Sequence, residues 1–240
     1  MSVGNRLSKI LQVPSDNIPM AFRTHYGEKL QNVRSSIITM GGHANEMVRM
    51  AVEATLNGNV ELANKVVQAD DHVDDLERQT LNETVLVVMQ EAPVATDLRM
   101  LVATIGIIGE IEKIGDDAVK LARRATKLSG FFPFELKVDF LEMGELVRHA
   151  FAAAIRCYSD YSDEIAQQII DGDKVIDQKY GDARNKVFEL IKETPENTKQ
   201  LVRAIEAFHA LEHVADHAVA IAVRLKMHYA SSTPVDSAAS

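Results

Sequence analysis

The sequence predicts an all-α protein built from two tandem three-helix repeats. Its 240 residues are 46% hydrophobic, Trp is absent, and only 12 Gly and 6 Pro interrupt the chain. Long segments without a helix-breaking residue favour helices over strands. Matching residues about 100 positions apart then divide the chain into two similar halves.

The repeat is visible in paired residues of the two halves. The matching sets are Met40-Gly41 with Met143-Gly144, Asp70 and Asp74 with Asp173 and Asp177, and Glu112 and Asp116 with Glu212 and Asp216. The offset falls from 103 to 100 along the chain, which indicates a small deletion in the second half. We therefore expect an N-terminal extension over 1–23, a first three-helix repeat over 24–130, a second over 131–230 and a disordered tail over 231–240.

Turn residues place six helices in order along the chain. We predict them over about 24–57, 60–91, 94–128, 136–160, 162–193 and 196–229. Asn57–Asn59, with its central Gly, separates the first two helices, and Pro93 suits the first turn of the third. Gly130 and Pro133 mark the boundary between the halves. Each half is expected to form an antiparallel three-helix bundle.

The charge and the cysteine content exclude several classes of function. A formal net charge of -9 argues against a nucleic-acid duplex or an anionic lipid surface as the main partner, because both require a basic surface. Metal ions or basic protein patches suit this charge better. The lone Cys157 excludes an intramolecular disulfide framework. Without a recognisable signal peptide or 18 consecutive apolar residues, we expect a cytoplasmic protein.

Acidic residues interrupt the apolar seams of the helices at matching places. Read in alternating steps of four and three, the seam of the third helix is interrupted by Glu112 and that of the sixth by Glu212. Asp74 lies 19 residues before Pro93 and Glu112 lies 19 after it, so antiparallel helices bring the two level. Each half should thus gather four inward-facing carboxylates. They are Asp70, Asp74, Glu112 and Asp116 in the first half and Asp173, Asp177, Glu212 and Asp216 in the second.

Four like charges on a partly buried seam require compensation. Basic partners, raised pKa values or a bound cation would each supply it. Duplication of the whole set favours a metal site in each half. All-oxygen ligation suits Mg, Mn or Ca, and carboxylate-bridged Fe or Zn clusters are the other option.

Three histidines lie beside the second set of acids. His209, His213 and His217 recur every four residues and so line one strip of the last helix, near Glu212 and Asp216. Helical histidines at this spacing bind Zn or Ni in some proteins and are ordinary exposed residues in others. The sequence leaves both interpretations open.

The motifs in combination resemble the PhoU family of phosphate-signalling regulators. They are QADDHVDDLE at 68–77, APVATDLR at 92–99, EKIGDDA at 112–118 and the looser copies DGDKVIDQKY at 171–180 and EHVADHA at 212–218. The resemblance covers about residues 25–228 and implies two related three-helix bundles with multinuclear metal clusters on their surfaces. The eight carboxylates would be the ligands, with iron or zinc expected ahead of magnesium or manganese.

The resemblance also implies a function. It predicts a negative regulator of the phosphate-starvation response, without a catalytic step, acting between the ATPase of a phosphate ABC transporter and a membrane sensor histidine kinase. We expect a homodimer that reaches the membrane only through these partners and binds no nucleic acid.

A ferritin-like or carboxylate-bridged metal store or oxidase is the alternative. That chemistry takes Glu-x-x-His on two helices and Glu on two others. This chain has one such pattern, from Glu206 to His209, whereas its repeat equivalent runs from Gly106 to Gly109. Oxygen-dependent turnover of iron would distinguish an oxidase from a regulator.

Overall fold

Six long helices make up almost all of the described chain. The computed structural model describes residues 20–128 and 132–230, so the predicted tail and nearly all of the N-terminal extension lie outside the described residues. The helices are α1 (Met20–Asn57), α2 (Val60–Glu91), α3 (Ala95–Leu128), α4 (Lys137–Ser159), α5 (Asp163–Glu193) and α6 (Thr198–Ala230). No strand occurs within the described ranges, and the predicted all-α fold is confirmed.

Local chemistry defines the helix ends. The side chain of Asn59 accepts the Leu62 N–H at 3.0 Å at the start of α2, and Ser162 caps α5 in the same way. Ala92 ends α2 with a φ of 44°, a left-handed conformation that costs a non-glycine residue about 1 kcal/mol. Pro93 precedes α3, which begins at Ala95, so the prediction that Pro93 occupies the first turn of the helix was wrong.

Helices α1 to α3 contact one another as one bundle, and helices α4 to α6 form another. The main hydrophobic core runs through both bundles, and a smaller cluster of Val33, Val87 and Leu101 lies within the first. At the junction, Phe132 and Phe140 have ring centroids 4.9 Å apart, and Phe140 and Phe208 are 5.0 Å apart. These buried rings attach the start of the second repeat to its last helix.

The two bundles pack against each other through α1 with α4 and α3 with α6. Glycines allow the first contact, because a Cβ at Gly41 would lie 2.8 Å from Ile155 Cδ1 and one at Gly144 would lie 3.0 Å from Val52 Cγ2. Gly41 and Gly144 are equivalent in the repeat, and so are Val52 and Ile155. The paired contacts exchange under the repeat offset, which is the pattern of an isologous, two-fold interface.

The longest helices do not match a membrane span. Among the described residues, none of the helices combines the length and the apolar character that crossing a bilayer requires.

Candidate functional site

The predicted carboxylates of the first repeat come together where α2 and α3 run side by side. We call Asp70, Asp74, Glu112 and Asp116 the first acidic cluster. Burial and the neighbouring charges of Asp74 and Asp116 raise the pKa of Asp70 to about 6. Burial, then Asp116 and the other acids, also raise the pKa of Glu112. The four side chains therefore share one electrostatic environment.

The first acidic cluster lies nearer the surface than its seam positions predicted. Asp70 and Glu112 are half-buried, whereas Asp74 and Asp116 are exposed. The prediction of four inward-facing acids is therefore corrected: α3 buries a wide face against α1, α2 and α6, and the acids lie along its edge. Gly115 lies beneath Asp70, and a Cβ there would be 3.4 Å from Asp70 Oδ1. This glycine leaves room for the carboxylate between the helices.

Glu77 joins the first acidic cluster, although it is not among the eight ligands predicted from the sequence. Burial and the charge of Asp74 raise the pKa of Glu77, and Glu77 contributes to the raised pKa of Glu112. Its position three residues after Asp74, on the same helix face, was the available signal.

The predicted acids of the second repeat also come together, between α5 and α6. We call Asp173, Asp177, Glu212 and Asp216 the second acidic cluster. Burial and the charges of Asp177 and Asp216 raise the pKa of Asp173, and burial followed by Asp216 raises that of Glu212. Asp173 Oδ1 and Glu212 Oε2 are buried, and neither accepts a hydrogen bond from any described residue. Such orphaned oxygens are costly without a cation or a proton.

Imidazole nitrogens border the second acidic cluster. The ligand atoms of His209, Glu212 and His213 all lie within 4.8 Å of one another. His209 Nε2 is 3.7 Å from Glu212 Oε2, and the rings of His209 and His213 are 4.2 Å apart. Burial and the nearby His213 lower the pKa of His209, which favours its neutral form.

A second group of acids on α3, not predicted from the sequence, has different surroundings. Glu110 and Asp117 are only 5% and 2% exposed and face α6 across the interface between the repeats. Glu110 accepts hydrogen bonds from Arg224 at 2.8 Å and pairs with His217 Nδ1 at 2.9 Å. Asp117 accepts a bond from Lys120 at 2.9 Å and lies 3.5 Å from His217 Nε2.

These partners determine the charge states of the interface acids. Burial alone would raise the pKa of Glu110, but the Arg224 and His217 hydrogen bonds lower it below its ordinary value. Burial alone would also raise the pKa of Asp117, but the hydrogen bonds with His217 and Lys120 lower it below its ordinary value. The pKa of His217 is raised, chiefly by its hydrogen bond to Asp117. We call Glu110, Asp117, Lys120, His217 and Arg224 the interface ion network. No sequence period relates Glu110 to Arg224, so their pairing is apparent only from the packing of the helices.

The two acidic clusters fit a cation better than an ion-pair network. Within the described residues, the basic contact of the first cluster is a 3.8 Å approach of Lys120 to Asp116, and Lys120 is closer to Asp117. The second cluster contains the two orphaned oxygens. Carboxylate oxygens at this density suit hard divalent cations or carboxylate-bridged clusters. By contrast, Glu206 of the oxidase pattern contacts Arg124 at 3.5 Å.

Known proteins match this chain in both repeats. The family model of the PhoU domain matches residues 37–125 and 140–225. A relative from Pseudomonas putida is 30% identical over 195 residues, which cover 80% of this chain and 76% of that protein. One from Pseudomonas aeruginosa is 28% identical over 212 residues, covering 88% and 87%. Both are named phosphate-specific transport system accessory protein PhoU homolog.

A solved structure is similar to this chain in fold as well as in sequence. The crystal structure of PhoU from Pseudomonas aeruginosa superposes with a TM-score of 0.82 at 28% identity, covering 86% of this chain and 99% of that one. Similarity therefore extends over both three-helix repeats, including the helices that carry the two acidic clusters. The chain belongs to the PhoU domain family.

Proposed function

We propose that this protein is a negative regulator of phosphate-starvation signalling and phosphate uptake. In this proposal it is a non-catalytic, metal-binding adaptor between the ATPase subunit of a phosphate ABC transporter and a phosphate-sensing histidine kinase. The observation that carries the proposal is membership of the PhoU domain family in both repeats, with relatives named as accessory proteins of phosphate-specific transport. A cytoplasmic homodimer that meets the membrane only through its partners fits this role.

Metal binding is the part of the proposal that the local geometry supports. The first acidic cluster would hold one cation or cation cluster and the second acidic cluster another. Bound positive charge would offset both the burial and the mutual repulsion that raise the pKa values of Asp70, Glu112, Asp173 and Glu212. It would thereby hold α2 against α3 and α5 against α6 in each bundle.

Elemental analysis tests whether the protein binds metal through the two acidic clusters. Protein purified without chelator would be compared with Glu112→Gln/Asp116→Asn and Glu212→Gln/Asp216→Asn. We expect metal at a fixed ratio to protein, with part of it lost in each double variant. Wild-type protein that lacks metal and takes up none of Fe, Zn, Mn or Mg would overturn this part and leave the regulatory role to be tested alone.

An exposed apolar stripe offers a surface for the partner. Val94, just before α3, and Leu98, Val102 and Ile105 within it follow one another at helical spacing, and Val94 and Val102 are 72% and 59% exposed. Exposed apolar patches of this kind mark contact sites for other proteins. We place the transporter ATPase subunit on this stripe. Val202 on α6, equivalent to Val102, is 43% exposed, but Ile205, equivalent to Ile105, is only partly exposed, so the stripe is less complete there.

An adaptor signals only if it binds one state of its partner better than another. The proposed regulation therefore requires that the stripe bind the transporter differently when phosphate is plentiful and when it is scarce. Pull-down of the ATPase subunit from cells grown in the two conditions measures this difference. Equal recovery in both conditions would remove the regulatory part of the proposal.

A genetic experiment tests the whole function. Deleting the gene in its own host should derepress an alkaline phosphatase reporter in phosphate-rich medium, and the wild-type gene should restore repression. Val94→Asp/Val102→Asp should fail to restore it, whereas Val138→Asp, at another exposed apolar site, should succeed. A deletion strain that keeps the reporter repressed would contradict the proposal.

A further inference from the structure

The two acidic clusters differ at the positions that surround them. Tyr180, His209 and His213 in the second repeat replace Glu77, Gly109 and Lys113 in the first. The second cluster therefore loses one carboxylate and one ammonium group and gains two imidazoles. Since the four carboxylates that define each cluster are retained, the change affects the type of donor atom and leaves the location of the site unaltered.

The two imidazoles and Glu212 converge on one point. All three donor groups lie within 4.8 Å of one another, and His209 Nε2 is 3.7 Å from Glu212 Oε2. Ligands of a tetrahedral zinc ion, bound at about 2.0 to 2.2 Å, lie about 3.3 to 3.5 Å apart. Small rotations of the two partly exposed imidazoles toward Glu212 would bring these three residues to that separation.

The local contacts leave these donors available. Glu212 Oε2 is buried and has no hydrogen-bond partner among the described residues, although His209 is near it. His213 Nδ1 faces Asp117 Oδ1 at 4.0 Å, which leaves its Nε2 for another ligand. At 4.0 Å the two groups do not hydrogen-bond, and a small rotation of His213 would let Asp117 orient the imidazole as carboxylates behind metal-binding histidines do in many proteins. The Tyr180 ring, 5.6 Å from His209, flanks the other side.

We propose that His209, Glu212 and His213 form a nitrogen-containing site for a borderline divalent cation such as Zn²⁺. Imidazole suits Zn, Ni and Cu, whereas all-carboxylate sites suit harder cations. The second repeat thus selects a different metal from the all-oxygen first acidic cluster. Glu212 belongs to the second acidic cluster as well, so this inference rests on the metal-binding part of the proposed function.

Zinc titration of the full chain tests the site. Chelator-stripped wild type and His209→Ala/His213→Ala would be titrated with Zn²⁺ against a chromophoric competitor. We expect the double variant to bind one Zn²⁺ fewer, or to bind it at least about 100-fold more weakly. Co²⁺ as a spectroscopic probe should give intense visible absorption in the wild type, and the double variant should lack it.

Matched variants make the result specific. His25→Ala/His149→Ala removes two other exposed histidines, one of them 3.9 Å from Glu28, and should leave Zn²⁺ binding unchanged. His209→Gln alone, at a partly exposed position, should weaken binding while circular dichroism shows a folded protein. Full zinc affinity in both His209 variants would overturn the inference.

Other outcomes separate this inference from the proposed function. If Asp173→Asn/Asp177→Asn loses metal while His209→Ala/His213→Ala retains it, the nitrogen site is excluded and the acidic cluster stands. If the histidine variant loses Zn²⁺ but still represses the phosphate reporter, the nitrogen site stands apart from regulation. Loss of Zn²⁺ with Asp70→Asn/Asp74→Asn alone would place the zinc in the first cluster and overturn the inference.

Discussion

At the scale of single residues, two sets of acids on α3 have opposite surroundings. Burial, together with the carboxylates that Glu112 faces, raises its pKa. Glu110 and Asp117 face Arg224, His217 and Lys120, and their pKa values are lowered. The acids along one edge of the helix therefore have few basic neighbours, whereas the acids along the other edge are paired with basic side chains. Position around the helix axis, and not distance along the chain, separates the two environments.

Asp70→Asn should stabilise the metal-free protein. Its raised pKa of about 6 shows that ionisation is opposed in the fold. Because this carboxyl ionises more readily in the unfolded chain, the folded protein loses stability as pH rises from the unfolded pKa through the folded one. Asp70→Asn removes this loss, so its stabilising effect should be full at pH 8 and vanish below about pH 4. Discounted for partial exposure, it amounts to about 1 kcal/mol. Urea unfolding after chelation measures it.

The control for this prediction is Asp75→Asn on the same helix. Asp75 is exposed and pairs with Arg78, so its replacement should change the unfolding free energy by less than about 0.5 kcal/mol. Destabilisation of the metal-free protein by Asp70→Asn at pH 8 would contradict the account of charge repulsion in the first acidic cluster.

His217→Gln should reduce stability more at pH 5.5 than at pH 9. The raised pKa of His217 means that its contribution is full below the ordinary value of about 6.5 and is lost as pH rises through the folded-state pKa. The lowered pKa values of Glu110 and Asp117 keep these acids charged throughout this range. Charge-assisted hydrogen bonds of this kind contribute about 1.5 kcal/mol.

Thermal unfolding of the metal-free protein across this pH range provides the measurement. His149→Gln, at an exposed position, serves as the control and should follow the wild-type curve. A destabilisation by His217→Gln that is equal at both pH values would show that packing, and not ionisation, determines the contribution of this residue.

At the scale of helices, small residues determine how closely the elements approach. Gly41 and Gly144 lie where α1 and α4 meet, and Gly115 lies where α3 meets α2. The contact between α1 and α4 has two equivalent halves, because each repeat presents a glycine to a β-branched residue of the other. Close packing of this type tolerates added volume poorly.

Gly144→Leu should destabilise the protein by about 2 to 3 kcal/mol. A Cβ at this position would lie 3.0 Å from Val52 Cγ2 and 3.2 Å from Val52 Cγ1, and a β-branched side chain has little freedom to move away. Denaturant unfolding measures the loss.

Gly42→Leu is the matched control, because no atom lies within 4 Å of a Cβ built there. Replacing an exposed helical glycine by leucine should be neutral or stabilise the protein by up to about 1 kcal/mol. Equal effects of the two substitutions would exclude close packing of α1 against α4 as the cause.

At the scale of the whole molecule, the repeats form one structural unit. The hydrophobic core extends through both bundles, and the interface ion network joins α3 to α6. The glycine contacts join α1 to α4, and they exchange under the internal two-fold relation between the repeats. The two acidic clusters therefore belong to one structural unit.

The two repeats should therefore unfold in one cooperative transition. Trp is absent from the chain, so Leu98→Trp in the first repeat and Phe188→Trp in the second are single fluorescent probes at partly exposed positions. We expect the same denaturant midpoint from both probes and from circular dichroism. Separate midpoints would show that each bundle unfolds independently.

Much of the fold could be predicted from the sequence because it depends on local geometry. Turn residues such as Asn57–Asn59 placed the helix ends within a few residues. The helical rise and the position of Pro93 placed Asp74 level with Glu112, and the two interact in the structure. The depth of the acids was harder to predict, since a seam read on one helix ignores the other helices that pack on it.

The sequence by itself determined six helices, their duplication and the acids that meet within each repeat, because helix period and rise act over short separations. Only the tertiary structure decided how the repeats face each other and which side chains pair across that face. Glu110 and Arg224 are 114 residues apart, and no local period relates them. Contacts of this kind depend on the three-dimensional packing of whole helices, so they emerge only when both bundles share one core.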